Sequence, residues 1–303
     1  MVAGAMATAS PAFASLYAEN FNVDSTANWT VNDPGLSDIG VDFFYDYSTI
    51  GVPSANGSDT IGLKMTANNS GGVFSGFSVS PNGESFSGDY TVSFDLWQNY
   101  VGPLGPGGSG TTQLSQFGIG TSGTTAMWPG AATKESVTFA ATLDGGSAAD
   151  YRLYSSAFPT SAPSGNAVYA APGGSNNESN AYYAGFGGEA APAAQLGLFP
   201  GQTGTTSVGE ISFGWRSVEI EVLGGIASWR VDGLLIASTD LTGLTLGGGN
   251  ILFGHADTNG GSSTDPNDSL LNVTLIDNIV VTPEPASLAL VALGGLAMLR
   301  RRR

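Results

Sequence analysis

Between Leu16 and Thr282 the chain alternates apolar and polar residues almost everywhere. A period of two belongs to a strand with one face on a core and the other in water. An amphipathic helix needs an apolar residue every third or fourth position instead. Val41, Phe43, Tyr45 and Tyr47 share one face of such a run, as do Ile61, Leu63 and Met65, then Tyr90, Val92, Phe94 and Leu96. Val137, Phe139, Ala141 and Leu143 form a further set, and Val218, Ile220 and Val222 another. Gly, Pro, Asn and Asp cluster between the runs, as in Val101 to Gly110, and no sustained 3.6-residue apolar period occurs before the C-terminal segment. The pattern predicts an all-β fold, an antiparallel jelly-roll β-sandwich, and 303 residues at 41% hydrophobic suffice to bury its core.

One passage is more specific. Val218 to Val222 is followed by Gly224-Gly225, then by Trp229-Arg230-Val231-Asp232-Gly233-Leu234-Leu235-Ile236. This predicts two consecutive hairpins, because Asp-Gly and Gly-Gly accept the positive φ of a tight hairpin turn. The passage resembles the central hairpins of concanavalin A-like and laminin-G-like jelly rolls. A late strand, Leu271 to Val281, stands where such domains close. Residues 155–209 differ in character: they hold no Lys or Arg, are rich in Ala, Gly, Ser and Pro, and carry Tyr169, Tyr182, Tyr183 and Phe186. They read either as a folded excursion over the sandwich or as a partly mobile loop, not as a separate domain.

Both ends carry targeting features. Met1 to Ala14 is small and apolar and ends in Ala12-Phe13-Ala14, an A-x-A cleavage pattern. It reads as the remnant of a signal peptide lacking a basic start, or as an Ala-rich terminus. At the other end, Thr282-Pro283-Glu284-Pro285 leads into an apolar run, Ala286 to Leu299, and then Arg300, Arg301, Arg302 and Arg303. As a helix the run spans about 21 Å at 1.5 Å per residue, short of the roughly 30 Å hydrocarbon core. Four terminal arginines favour a cytoplasmic tip and leave the preceding domain outside. A buried core helix is the alternative, which the arginines and the proline break oppose.

The order of these elements resembles the PEP-CTERM sorting tails of bacteria that make exopolysaccharide, with Pro283, Glu284 and Pro285 as the motif and Arg300 to Arg303 as the stop. The resemblance implies an exosortase-type membrane protease as partner and transient anchoring in the inner membrane.

The formal net charge is −16, and four of the nine basic residues are the terminal arginines. Only Lys64, Lys134, Arg152, Arg216 and Arg230 remain elsewhere. Such a surface repels phosphate backbones and argues against nucleic acid as a partner. The chain has no cysteine, which removes thiol-redox, zinc-ribbon and cysteine-nucleophile chemistry and leaves stability to the core and to any bound ions.

Chemistry in the body is sparse. A retaining glycosidase needs two close carboxyls, and the Glu-x-Asp-x-Glu run of jelly-roll glucanases does not occur. Glu219-Ile220-Glu221 supplies two acids without the middle Asp and reads as a solvated strand face. His255 is the only histidine and sits in no nucleophile motif. From Asp257 to Asp268 the oxygen-bearing side chains of Asp257, Asn259, Asp265, Asn267 and Asp268 could wrap a calcium ion. The same residues also favour a polar, turn-rich loop. Trp97, Tyr100, Trp128, Tyr182 and Tyr183 are the aromatic candidates for stacking on sugar rings.

The expected organisation is therefore a leader at 1–14, a lectin-like sandwich at 15–282 and a sorting tail with a hydrophobic helix at 283–303. The expected role is that of an exported cell-surface or extracellular-matrix protein, structural and non-catalytic. The alternative is a carbohydrate-binding module that holds exopolysaccharide, and a glycoside hydrolase comes third.

Overall fold

The computed structural model describes residues 15–35, 38–68, 74–101, 112–143, 147–258 and 266–284. The strands among them are β1 (Tyr17–Glu19), β2 (Trp29–Asn32), β3 (Ile39–Asp46), β4 (Ile61–Ala67), β5 (Ser75–Pro81), β6 (Tyr90–Asn99) and β7 (Gln113–Thr121). They continue as β8 (Val137–Thr142), β9 (Tyr151–Tyr154), β10 (Arg216–Leu223), β11 (Ile226–Val231), β12 (Leu234–Asp240), β13 (Asn250–Asp257) and β14 (Val273–Pro283). One sheet runs β12-β11-β10-β6-β14-β4-β3, with β1 also on β14; the other runs β2-β5-β13-β7-β8-β9. Every pairing is antiparallel. The chain changes sheet at each step from β4 to β7 and again from β12 to β14, which winds the two sheets into a jelly-roll sandwich.

The alternation read from the sequence builds the interior. Val92, Phe94 and Leu96 of β6 and Val218 and Ile220 of β10 meet Phe117, Ile119, Phe139 and Phe253 of the facing sheet. Phe94 sets its edge against Phe253 at 5.0 Å and 89°, an arrangement the aromatic quadrupole favours. Both expected hairpins form. Leu223 faces Ile226 across Gly224-Gly225, and Val231 faces Leu234 across Asp232-Gly233. All four turn residues have positive φ, between 47° and 82°.

Two bulges alter the expected facing. In β3, Val41 and Phe43 point inward, but an extra residue between Asp42 and Tyr45 flips the phase. Tyr45 and Tyr47 therefore lie with a second apolar cluster on the outer side of the same sheet, rather than with Val41 and Phe43 in the sandwich interior. In β14 the bulge falls between Asp277 and Val280, with Asn278 at φ 51°.

Residues 155–209 form a folded excursion. Ala170 N–H donates to Ile236 C=O and Ser238 N–H to Val168 C=O, which extends the open edge of β12. Tyr169, Tyr183 and Phe186 enter the main core. A short helix, α1 (Ala193–Leu198), then packs beneath the outer face of the first sheet. Its buried Gln195 donates to Ile50 C=O at 2.9 Å and to Asn99 Oδ1 at 3.0 Å. The excursion thereby covers Trp97, Val273 and Leu275 on a face that the alternation assigns to water.

Candidate functional site

The last strand brings the C-terminal motif into the fold. Val280 and Val281 of β14 have β1 on one side and β6 on the other, through pairs such as Val281 with Tyr17 and with Val92. The ladder to β1 ends with Leu16 N–H donating to Val281 C=O at 2.7 Å. Among the described residues Thr282 and Pro283 continue on β6 alone, opposite Thr91 and Tyr90. Pro283 has no N–H to donate, so its place at the strand's end breaks no interior bond. Glu284 N–H then donates to Asp89 C=O at 3.1 Å, and the Glu284 carboxylate accepts from the Thr91 hydroxyl. Asp89 Oδ1 in turn accepts from Gly224 N–H at 2.9 Å in the β10–β11 turn.

Residues 281–303 match the PEP-CTERM protein-sorting motif. The match begins at Val281, inside β14, and implies export with processing by an exosortase. Pro285, the run Ala286 to Leu299 and Arg300 to Arg303 lie outside the described residues, as does Met1 to Ala14. Among the described residues no helix is long and apolar enough to cross a membrane.

No curated protein matches the chain in sequence. Among solved structures it is similar to a protein with a galectin-like fold from Bacillus subtilis, at 11% identity over 89% of this chain and 96% of the other, TM-score 0.47. It is also similar to the Emp46p carbohydrate recognition domain, at 9% identity over 90% and 98% of the two chains, TM-score 0.44. A third is the Bacillus licheniformis β-glucanase, at 12% identity over 88% and 97%, TM-score 0.39. The jelly-roll assignment rests on the strand order above and not on these likenesses.

The aromatic candidates for sugar stacking are dispersed. Trp97 is buried on the outer side of the first sheet with its ring 5.8 Å from Trp215. Tyr100 is buried nearby, its ring 4.7 Å from Phe213 and its hydroxyl donating to Thr205 C=O at 2.8 Å. Trp128 lies over Gly76 of β5, where a Cβ would stand 2.6 Å from the indole, and its ring is 5.1 Å from the exposed Phe74. Tyr183 is fully buried against Tyr151 at 4.5 Å. Tyr182 is half-buried and donates to Leu235 C=O at 2.8 Å.

Of the calcium candidates, Asn259 and Asp265 lie outside the described residues. Asp257 is fully buried and accepts from Asn68 Nδ2 at 2.6 Å and Thr112 N–H at 3.0 Å. Asn267 offers its carbonyl to the N–H groups of Leu270 and Leu271 in the short helix α2 (Asp268–Leu271), which Asp268 opens. Among the described residues no group of three or more His, Cys, Asp or Glu is placed to hold a metal ion.

His255 points into the sandwich between Gln113 Oε1 at 2.7 Å and Thr274 Oγ1 at 2.9 Å, and burial pushes its pKa down to about 3. It is a neutral hydrogen-bonding core residue at physiological pH. Glu219 and Glu221 are half-buried on the outer face of β10, opposite Arg230 and Ser228 of β11.

Two features were not singled out from sequence. The bulge in β3 turns Tyr45 outward beside Lys64, whose ammonium lies 4.5 Å from the ring centroid. They line an open depression of about 390 Å³ with Asp42, Thr66, Ser269 and Leu270. Burial pushes the Lys64 pKa down, while Asp42 opposes that shift. The second feature is Asp277, fully buried at the β14 bulge. Burial raises its pKa to about 7, although Asn278 N–H and the Tyr47 hydroxyl donate to it; the nearby charges of Asp59 and Asp95 raise it further. The consecutive polar pair Asp277-Asn278, which interrupts the alternation, is the sequence signal for this bulge.

Proposed function

We propose that the protein is an exported cell-surface or extracellular-matrix protein, processed at its C-terminal segment by an exosortase-type membrane protease, whose sandwich has a structural and non-catalytic role. The sorting motif at 281–303 carries this reading. The division that goes with it is a leader at 1–14, a body at 15–282 and a sorting tail at 283–303 that holds the chain transiently in the inner membrane. Intact mass and cell fractionation test it. The native chain is expected to lose its tail and reach the envelope surface or the medium. A variant with Pro283, Glu284 and Pro285 replaced by alanine is expected to stay uncut in the membrane. A native chain that stays uncut and membrane-bound overturns the reading.

The second reading is carbohydrate binding, and the depression beside Tyr45 favours it. An aromatic face, an ammonium, a carboxylate and hydroxyls around one concavity are the group types that contact sugar rings and their hydroxyls. Retardation in gels containing the host's exopolysaccharide measures it. Tyr45→Ala and Lys64→Ala are expected to abolish retardation, whereas Tyr182→Ala and Trp128→Ala test the alternative surfaces. Equal migration of the native chain with and without polysaccharide removes this reading.

A further inference from the structure

The sorting motif and the folded body share residues. No spacer separates the last strand from Pro-Glu-Pro, because Pro283 is itself the final residue of β14. The backbone of Thr282 and Pro283 has one side on β6. The carboxylate of Glu284, the one charged group of Pro-Glu-Pro, is taken by the Thr91 hydroxyl, and its N–H by Asp89. A protease surrounds the peptide it cuts, binding an extended backbone and reading side chains on both sides of the scissile bond. It cannot take Glu284 while Thr91 and Asp89 hold it.

We propose that Thr91 and Asp89 are positioning residues that dock the sorting motif on the body, and that Thr282 to Glu284 must leave β6 before the chain is cut. This rests on the reading that an exosortase processes the motif. The geometry limits the release to these residues. Upstream, Val280 and Val281 are clamped between β1 and β6, whereas among the described residues Thr282 to Glu284 pair with the β6 side alone. Pro283 contributes no N–H to the ladder, so the docked end is held by few bonds, of which the Thr91–Glu284 contact is charge-assisted. Through the Asp89–Gly224 bond the docking platform is continuous with the β10–β11 turn.

The absence of cysteine allows a clean test. Thr91 and Thr282 face each other across β6 and β14, and directly opposed residues lie close enough for a disulfide after a small strand adjustment. The double variant Thr91→Cys, Thr282→Cys pins the strand end and leaves Pro283, Glu284 and Pro285 intact. The full-length chain is mixed with membranes from a cell that carries an exosortase, with and without dithiothreitol, and cutting is followed by intact mass. The parent chain is expected to be cut in both conditions. The double variant, its bond verified by thiol titration, is expected to stay uncut when oxidised and to be cut once reduced. Thr91→Ala, which frees the Glu284 carboxylate, is expected to be cut about tenfold faster than the parent, the worth of one charge-assisted hydrogen bond. Cutting of the oxidised double variant at the parent's rate overturns the docking proposal. A parent chain that is itself never cut instead overturns the sorting reading beneath it.

Discussion

Trp229→Ala is expected to lower stability by about 3–5 kcal/mol, read as a fall of roughly 10 °C in melting temperature. Trp229 of β11 is fully buried. Its ring reaches across the sandwich to three strands of the other sheet: Phe117 of β7 at 5.4 Å, Phe139 of β8 at 5.5 Å and Tyr151 of β9 at 5.7 Å. Removing the indole leaves a cavity that these three rings cannot close without shifting their own strands. Trp229→Phe is the informative companion. Trp229 Nε1 has no hydrogen-bond partner among the described residues, so phenylalanine keeps most of the ring contact and removes a buried, unsatisfied donor. Its loss is expected to stay below about 2 kcal/mol. Thermal unfolding followed by circular dichroism separates the two variants. An alanine variant melting within a degree or two of the parent would show that the sheets are joined elsewhere.

The second large effect is a pH dependence with a definite sign. Asp277 has its pKa raised to about 7, chiefly by burial. Asp150 has its pKa raised well above the usual carboxylate range, again chiefly by burial and further by the hydrogen-bonded carboxyl of Glu178. Both are near 3.9 in an unfolded chain. The folded state therefore binds more protons than the unfolded state over the interval between these values, and stability falls as pH rises. Asp277 contributes to the fall from about pH 4 to 7, and Asp150 adds to it in the same direction. For Asp277 the full effect is on the order of 4 kcal/mol, from about three pKa units at 1.36 kcal/mol each.

Melting temperature is thus expected to decline from pH 5 to 8.5, less steeply below about pH 6.5, where His255, which binds a proton only once unfolded, offsets part of the fall. Asp277→Asn keeps an acceptor for Tyr47 and is expected to flatten the part of the curve below pH 7, raising stability at pH 8. A residual fall is expected to remain, because Asp150 shifts in the same direction. Parallel curves for variant and parent would mean that Asp277 is solvated in the folded protein.

Which parts of this architecture were legible in the sequence follows from what alternation encodes. It encodes facing relative to the next residue, so β4, β6 and β10 could be placed with their inward sets correct, and β8 with Val137, Phe139 and Ala141, whereas Leu143 just past its end joins the second cluster. It does not encode an inserted residue, so the outward turn of Tyr45 and Tyr47 after the β3 bulge was not foreseen. It also cannot say which of two apolar sets faces inward when both are buried. In β14, Thr274 points into the sandwich because His255 and Ser115 bond it at 2.9 and 2.6 Å. Val273 and Leu275 consequently lie outside under the excursion. The excursion itself is held by Gln195, Gln202 and the hydroxyls of Tyr100, Tyr151 and Tyr182 to distant backbone carbonyls, long-range bonds that leave no local pattern. The motif at the C-terminus was legible as a compact string of residue types, but its attachment to Thr91 and Asp89 was not, since those partners lie 193 and 195 positions away.

The placement of β14 has a mechanical consequence. Its ladder to β6 runs from Val273 to Pro283 with one bulge, and its hydrogen bonds lie across the strand axis. A pull at Glu284 along that axis loads the ladder in shear and shares the force among many bonds at once. The same pull applied across the strand would open them one after another, like a zipper. A body drawn by its C-terminal end is therefore held in the direction in which a sheet resists tearing best, and β1 and β4 on the far side of β14 add their bonds to the same load.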